Sequence, residues 1–224
     1  MLGNNDSLDK KLLIITGPQG SGNHLFSRLL SQHPDVSGWE ELKNKYWVPS
    51  DLEPFADYWV FPELLTLDKF YGHQYHLANV SCPFMYDGVR HVPKILEVAE
   101  RAKMLGIDVQ IAIIVRDQNI NAEQQLRVRG EVTTPIAQNY YYSTLLQSQF
   151  PIHFLDHEAF FLHKEHYLHW VGKILNFPVE LDSVKINQFI DKDANHKYIK
   201  YVDNYWLDQE VWNGIQSKEA RGLK

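Results

Sequence analysis

Apolar positions along the chain fall into short runs divided by polar turns. Leu12, Leu13, Ile14 and Ile15 are apolar without interruption, the pattern of a strand buried on both faces of a parallel sheet. A glycine-rich turn follows. Leu25, Phe26, Leu29 and Leu30 then recur at helical spacing, and His33-Pro34 closes that helix. Residues 109–115 predict a second buried strand, 152–155 a third strand, and Phe84-Met85-Tyr86 a short one. Helices are predicted over 92–105, with Gly106 as the stop, over 119–128, and over 135–149 with Pro135 in its first turn. Two more are predicted over 160–175 and 183–190. Residues 35–80 mix polarities around Trp39, Trp47, Trp59 and several prolines, and predict short helices and ordered loops.

Strands alternating with helices indicate an α/β fold: a three-layer parallel sheet with helices on both faces. Such sheets bind ligands at the carboxyl ends of their strands. The 224 residues fit one domain, with residues 1–10 a loose lead-in and 191–224 an irregular, aromatic-rich tail. The net charge of −6 and the lack of Lys/Arg runs argue against a nucleic-acid partner, which calls for clustered positive charge. No apolar run approaches the roughly 20 residues of a membrane span, and the polar start predicts no secretory signal. Cys82 is the only cysteine, so no intrachain disulfide can form; a reducing compartment, the cytoplasm, is expected, with Cys82 a small core residue.

The chemistry concentrates after the first strand. Gly17-Pro18-Gln19-Gly20-Ser21-Gly22-Asn23-His24 joins a strand to a helix. Helix N-termini present backbone N–H groups to anions, and glycines let the backbone close around phosphate oxygens. Gly17 and Gly22 match G-x-x-x-x-G, which predicts the P-loop nucleotide-binding type, with a tight glycine-rich turn that holds no ligand as the alternative. Asn23 and His24 stand where a nucleotide triphosphatase has its Lys and Ser/Thr, so the groups that reach the phosphates and Mg²⁺ are absent.

Three segments together resemble the sulfotransferases that use 3′-phosphoadenosine 5′-phosphosulfate (PAPS), tyrosylprotein and bacterial types above all. Ser21-Gly22-Asn23-His24 falls on the S-G-T-T of the family's P-[KR]-S-G-T-T loop, and His33-Pro34-Asp35-Val36 on its H-P-D-V. Glu40-Glu41 follows as the glutamate pair does in the tyrosylprotein type. Val89-Arg90-His91-Val92-Pro93 is similar to the family's K-[ST]-P-R-H-x-P, and Val115-Arg116-Asp117 to its V-R-D-P. The resemblance implies that Gly20, Ser21, Gly22, Asn23 and His24 hold the 5′-phosphosulfate, and that Arg116 and Gln124 hold the 3′-phosphate of PAPS or its product PAP. It implies Glu41 as the base that deprotonates an acceptor hydroxyl, and no metal; His24, where the family has Thr, is a candidate second catalytic group that could lend a proton or a positive charge. The acceptor, a small molecule, a glycan or a peptide, would lie against residues 42–84 as an acceptor-side insertion.

The chain departs from that pattern at three places. Gly20 replaces the loop Lys/Arg, Asp87 replaces the Lys of the second segment, and Gln124 replaces a Ser. His24, Lys43, Arg90, His91, Arg127 and Arg129 are the candidate replacement charges, and Arg90 could instead pair with Asp87 or Asp117. Two other readings stay open: a P-loop nucleotide kinase with a degenerate loop, and a non-catalytic protein that keeps the fold for binding or assembly. His73 with His76, and His163 with His166 and His169, lack the Cys or acidic company of a metal site. Tyr140, Tyr141, Tyr142, Trp206 and Trp212 read as packing residues.

Overall fold

The computed structural model describes residues 10–45 and 47–191. Among the described residues seven strands are formed: β1 (Lys11–Pro18), β2 (Val36–Ser37), β3 (Tyr75–Cys82), β4 (Phe84–Tyr86), β5 (Val89–His91), β6 (Asp108–Val115) and β7 (Ile152–Asp156). The α-helices are α1 (Asn23–Leu30), α2 (Glu40–Asn44), α3 (Ile95–Met104), α4 (Gln118–Arg129), α5 (Thr134–Ser143), α6 (His157–Leu175) and α7 (Ser183–Asp191). Five strands make one parallel sheet in the order β2-β3-β1-β6-β7, and β4-β5 is a separate antiparallel hairpin.

The uninterrupted apolar run of β1 follows from its central place. Leu12 and Ile14 face α3 and α5, while Leu13 and Ile15 face α1 and α6. All four are buried, each contributing roughly 1.5–3 kcal/mol by leaving water. Helices therefore cover both faces, as the strand–helix alternation predicts. From β1 the chain passes through α1 to the β2 edge and returns to β3; after α3 it enters the sheet on the other side of β1 as β6. Connections thus diverge around β1, and such a switch point opens a crevice at the strand ends. Residues 19–22 lie there, with Thr16 held between Val80 and Ile113 and hydrogen-bonded to Tyr141 at 3.0 Å.

β3 is the main element the apolar pattern hides. Its run Tyr-His-Leu-Ala-Asn-Val-Ser-Cys is broken by His76, Asn79 and Ser81, yet it pairs with β1 along all eight residues. The final part of 42–84 is therefore core sheet rather than insertion. Helix α5 ends at Ser143, before a short 3₁₀ turn at Leu145–Gln147. Tyr141 is buried but Tyr142 is exposed, against its reading as a packing residue. Helix α6 is broken at Lys164 (φ 46°). Cys82 is a buried core residue, and burial pushes its thiol up to about 12. Residues 1–9 of the expected lead-in, and the expected tail beyond Asp191 with Trp206 and Trp212, lie outside the described residues. No described helix is long and apolar enough to cross a membrane.

The rest of the 42–84 segment is a chain of 3₁₀ turns (Ser50–Leu52, Ala56–Trp59, Pro62–Leu64, Leu67–Phe70) folded around one buried carboxylate. Glu53 accepts hydrogen bonds from Phe55 N–H (2.8 Å), Asn79 N–H (3.0 Å) and Trp59 Nε1–H (3.1 Å). Burial raises its pKa to about 7 in spite of these donors and of Lys69 nearby. Burial lowers His76, packed edge-on against Phe70, to about 4.

These two groups give the fold opposing pH dependences. Glu53 moves from 4.5 unfolded to about 7 folded, so its contribution is fully present below pH 4.5 and is lost as pH rises through 7. His76 moves from 6.5 unfolded to about 4 folded, so the unfolded chain binds the extra proton and stability is lost as pH falls from 6.5. Between pH 4.5 and 6.5 the slopes oppose one another. In Glu53→Gln only the histidine slope remains, and stability in urea should climb with pH there by up to about 1.4 kcal/mol per unit. A variant profile parallel to that of the wild type would clear Glu53 of this role.

Candidate functional site

The loop after β1 is closed by its own short side chains. Ser21 N–H donates to Pro18 O at 3.1 Å, and Ser21 Oγ donates to Asn23 Oδ1 at 3.1 Å. Asn23 Nδ2 donates to Gly17 O (3.1 Å) and to Ser81 Oγ on β3 (2.9 Å), tying the loop to the neighbouring strand. A Cβ at Gly17 would run into Ser21 Oγ and Asn23 Oδ1, so this close approach requires glycine. Gly22 caps α1 with φ 106°, and the ring of His157 lies against it. Among the described residues, nothing accepts from the backbone N–H groups of Gly20, Gly22, Asn23 or His24. Unpartnered backbone N–H groups at a helix N-terminus are the kind of donors that anions bind.

Helix α4 lies across the loop. Asp117 caps it, accepting from Asn119 N–H and Ile120 N–H. Just before it, at the carboxyl end of β6, Arg116 donates through Nη1 to Gly20 O (2.7 Å) and Gln124 Oε1 (2.6 Å), and its Nε lies 3.8 Å from Glu158. Gln125 is wholly buried: its Nε2 donates to Gln19 O (2.6 Å), and its Oε1 accepts from Thr133 N–H (2.6 Å) and Thr134 N–H (3.2 Å). Asn121 completes the same helix face against Gly20. One turn beyond Gln125, that face presents Arg129.

The structure thus brings together Gly20, Ser21, Gly22, Asn23, Arg116 and Gln124. It places His24 and Glu41 differently. His24 turns toward α2, with Nε2 3.2 Å from Val48 O and its ring 5.3 Å from that of Trp39. Burial lowers its pKa, with Arg28 and Arg129 adding to the effect and the contact to Val48 O opposing it. Glu41 is exposed on α2 and makes no hydrogen bond or ion pair among the described residues. Arg28 docks α2 on α1, donating to Leu42 O (3.0 Å) and Lys45 O (2.8 Å).

Two of the candidate charges are already paired. Lys43 binds Glu40 at 2.6 Å, and Arg90 binds Glu131, not Asp87 or Asp117. Arg129 has no ion pair among the described residues, and it lies close enough to both His24 and Arg90 for their charges to interact. No group of three or more His, Cys, Asp or Glu among the described residues could hold a metal.

Sequence reasoning missed Asn79, Ser81, Asn121, Gln125, His157 and Glu158. For the last two a signal existed: Asp156-His157-Glu158 immediately follows the third predicted strand, at its carboxyl end. No protein-family model matches the chain, and neither does any curated protein.

Proposed function

We propose that this chain is a sulfotransferase of P-loop type that transfers a sulfuryl group from PAPS to an acceptor hydroxyl or amine. The observation that carries this reading is the pairing of two sets of donors: the N–H groups of Gly20, Gly22, Asn23 and His24, unpartnered among the described residues, and the hydrogen-bonded Arg116–Gln124 pair beside them, at the end of β6 and on α4. That donor set fits a ligand with two separate phosphate groups. The loop N–H groups would take the 5′-phosphosulfate. The Arg116 guanidinium and Gln124 through its Nε2 would take the 3′-phosphate. PAPS supplies the sulfuryl group and a leaving bridging oxygen. Glu41, exposed to solvent on an element docked against α1, takes the acceptor proton as the new sulfur–oxygen bond forms. Arg129 supplies the positive charge that Gly20 and Asp87 do not.

The kinase reading loses ground because the Asn23 amide is committed to Gly17 and Ser81, in the place of a phosphate-reaching lysine. One observation favours the non-catalytic reading: Arg116 spends two hydrogen bonds on the protein itself. That reading predicts PAP binding without turnover.

Titration calorimetry with PAP, and ADP as control, tests the proposal. Micromolar PAP binding with little affinity for ADP is expected. Arg129→Ala should weaken it roughly tenfold, the loss of about one charge-assisted hydrogen bond. Absence of PAP binding at millimolar concentration rejects the sulfotransferase reading.

A further inference from the structure

Beside the loop, toward α2, a narrow cleft is lined by His24, Trp39, Ser50, Asn79, Ser81 and Phe84. Its position ties it to the anion site: Ser81 holds Asn23, and His24 is the second residue of α1. Two of its residues carry buried polar atoms with no partner among the described residues, Trp39 Nε1 and Asn79 Oδ1. Trp39 is 2% and Asn79 5% exposed, so solvent does not serve them. Buried polar atoms left unpaired are costly, and each one in a folded protein calls for an explanation.

The two atoms ask for different things. Trp39 Nε1–H needs an acceptor, and Asn79 Oδ1 needs a donor. The space in the cleft is about 10 Å³, close to the ~10–15 Å³ that holds a single water-sized group. A hydroxyl can both accept and donate. An ammonium group cannot accept, a carbonyl or carboxylate cannot donate, and a methyl does neither. Trp59, Val80 and Phe84 supply apolar walls, which disfavour a charged occupant.

We propose that this cleft is a hydroxyl subsite: it receives one hydroxyl of the acceptor between Trp39 and Asn79 and selects alcohols over amines. The name acceptor rests on the sulfotransferase reading; the pairing chemistry does not.

The test is the indole N–H resonance of Trp39 in ¹⁵N-labelled wild type, followed with benzyl alcohol, benzylamine and toluene, with and without PAP. Benzyl alcohol should shift the resonance, and the other two should not. In Asn79→Leu the response should weaken at least tenfold. That variant should also have an unchanged or higher urea midpoint, because an apolar side chain replaces an atom that has no partner. Equal shifts from alcohol and amine, or no shift from any probe, overturn the subsite even where PAP binds. An alcohol response without PAP binding keeps the subsite and removes the sulfotransferase reading. A lowered midpoint in Asn79→Leu shows that the atom serves a buried water alone, and overturns the proposal.

Discussion

Arg116→Ala should weaken PAP binding by about 100-fold in calorimetry. Arg116 touches both halves of the proposed phosphate site, gripping Gly20 O at 2.7 Å and Gln124 at 2.6 Å. Its removal costs the complex twice. The charged donors to the 3′-phosphate go, and the loop carbonyl loses its tether. Hydrogen bonds to charged groups contribute about 1.5–3 kcal/mol each, so losing two corresponds to a factor of about 100 or more. Arg116→Lys should recover only a minor part, because an ammonium cannot reproduce the planar fork of a guanidinium. Unchanged PAP affinity in Arg116→Ala would move the phosphate site away from β6.

Gly22→Ala should lower stability by about 3 kcal/mol in urea denaturation. A residue with a side chain at φ 106° is strained by about 1–2 kcal/mol. The added methyl would also sit 2.6 Å from His157 Cδ2, and overpacking of this kind costs about 1–3 kcal/mol. The two contributions separate in a cycle. Gly22→Ala combined with His157→Ala relieves the collision but not the backbone strain, and should recover about half of the loss relative to His157→Ala alone. Gly88→Ala is the control: its φ is 72°, but nothing lies within 4 Å of the new methyl. A Gly22→Ala midpoint equal to that of Gly88→Ala would show that the loop yields to His157.

The sheet was legible where side chains answer only to burial. β1 and β6 carry apolar runs because helices cover both their faces, and their ends, like those of the half-exposed edge strand β7, shift by only a residue or two from the pattern. β3 was not legible, for a reason tied to the site. Asn79 and Ser81 lie on the α1 face at its carboxyl end, where one lines the cleft and the other holds the loop. Polar residues that serve the site interrupt the very alternation that announces a strand. The loop was legible because glycines mark close backbone approach. Arg116 and Gln124 were found through the resemblance, and the structure joins them. Gln125 was not found, because a buried glutamine looks like a surface glutamine until its partners, at positions 19, 133 and 134, are folded around it.

Gln125 bears on when the entropy of ordering is met. One amide fixes Gln19 of the loop and the start of α5 at once, so the curvature of the loop is set by folding and not by the arrival of a ligand. The proposed ligand would then meet backbone donors already in place, and little conformational freedom would remain to be lost on association. Binding should show a small heat-capacity change, because few surfaces close around the ligand. Free and bound crystals should superpose at residues 17–24.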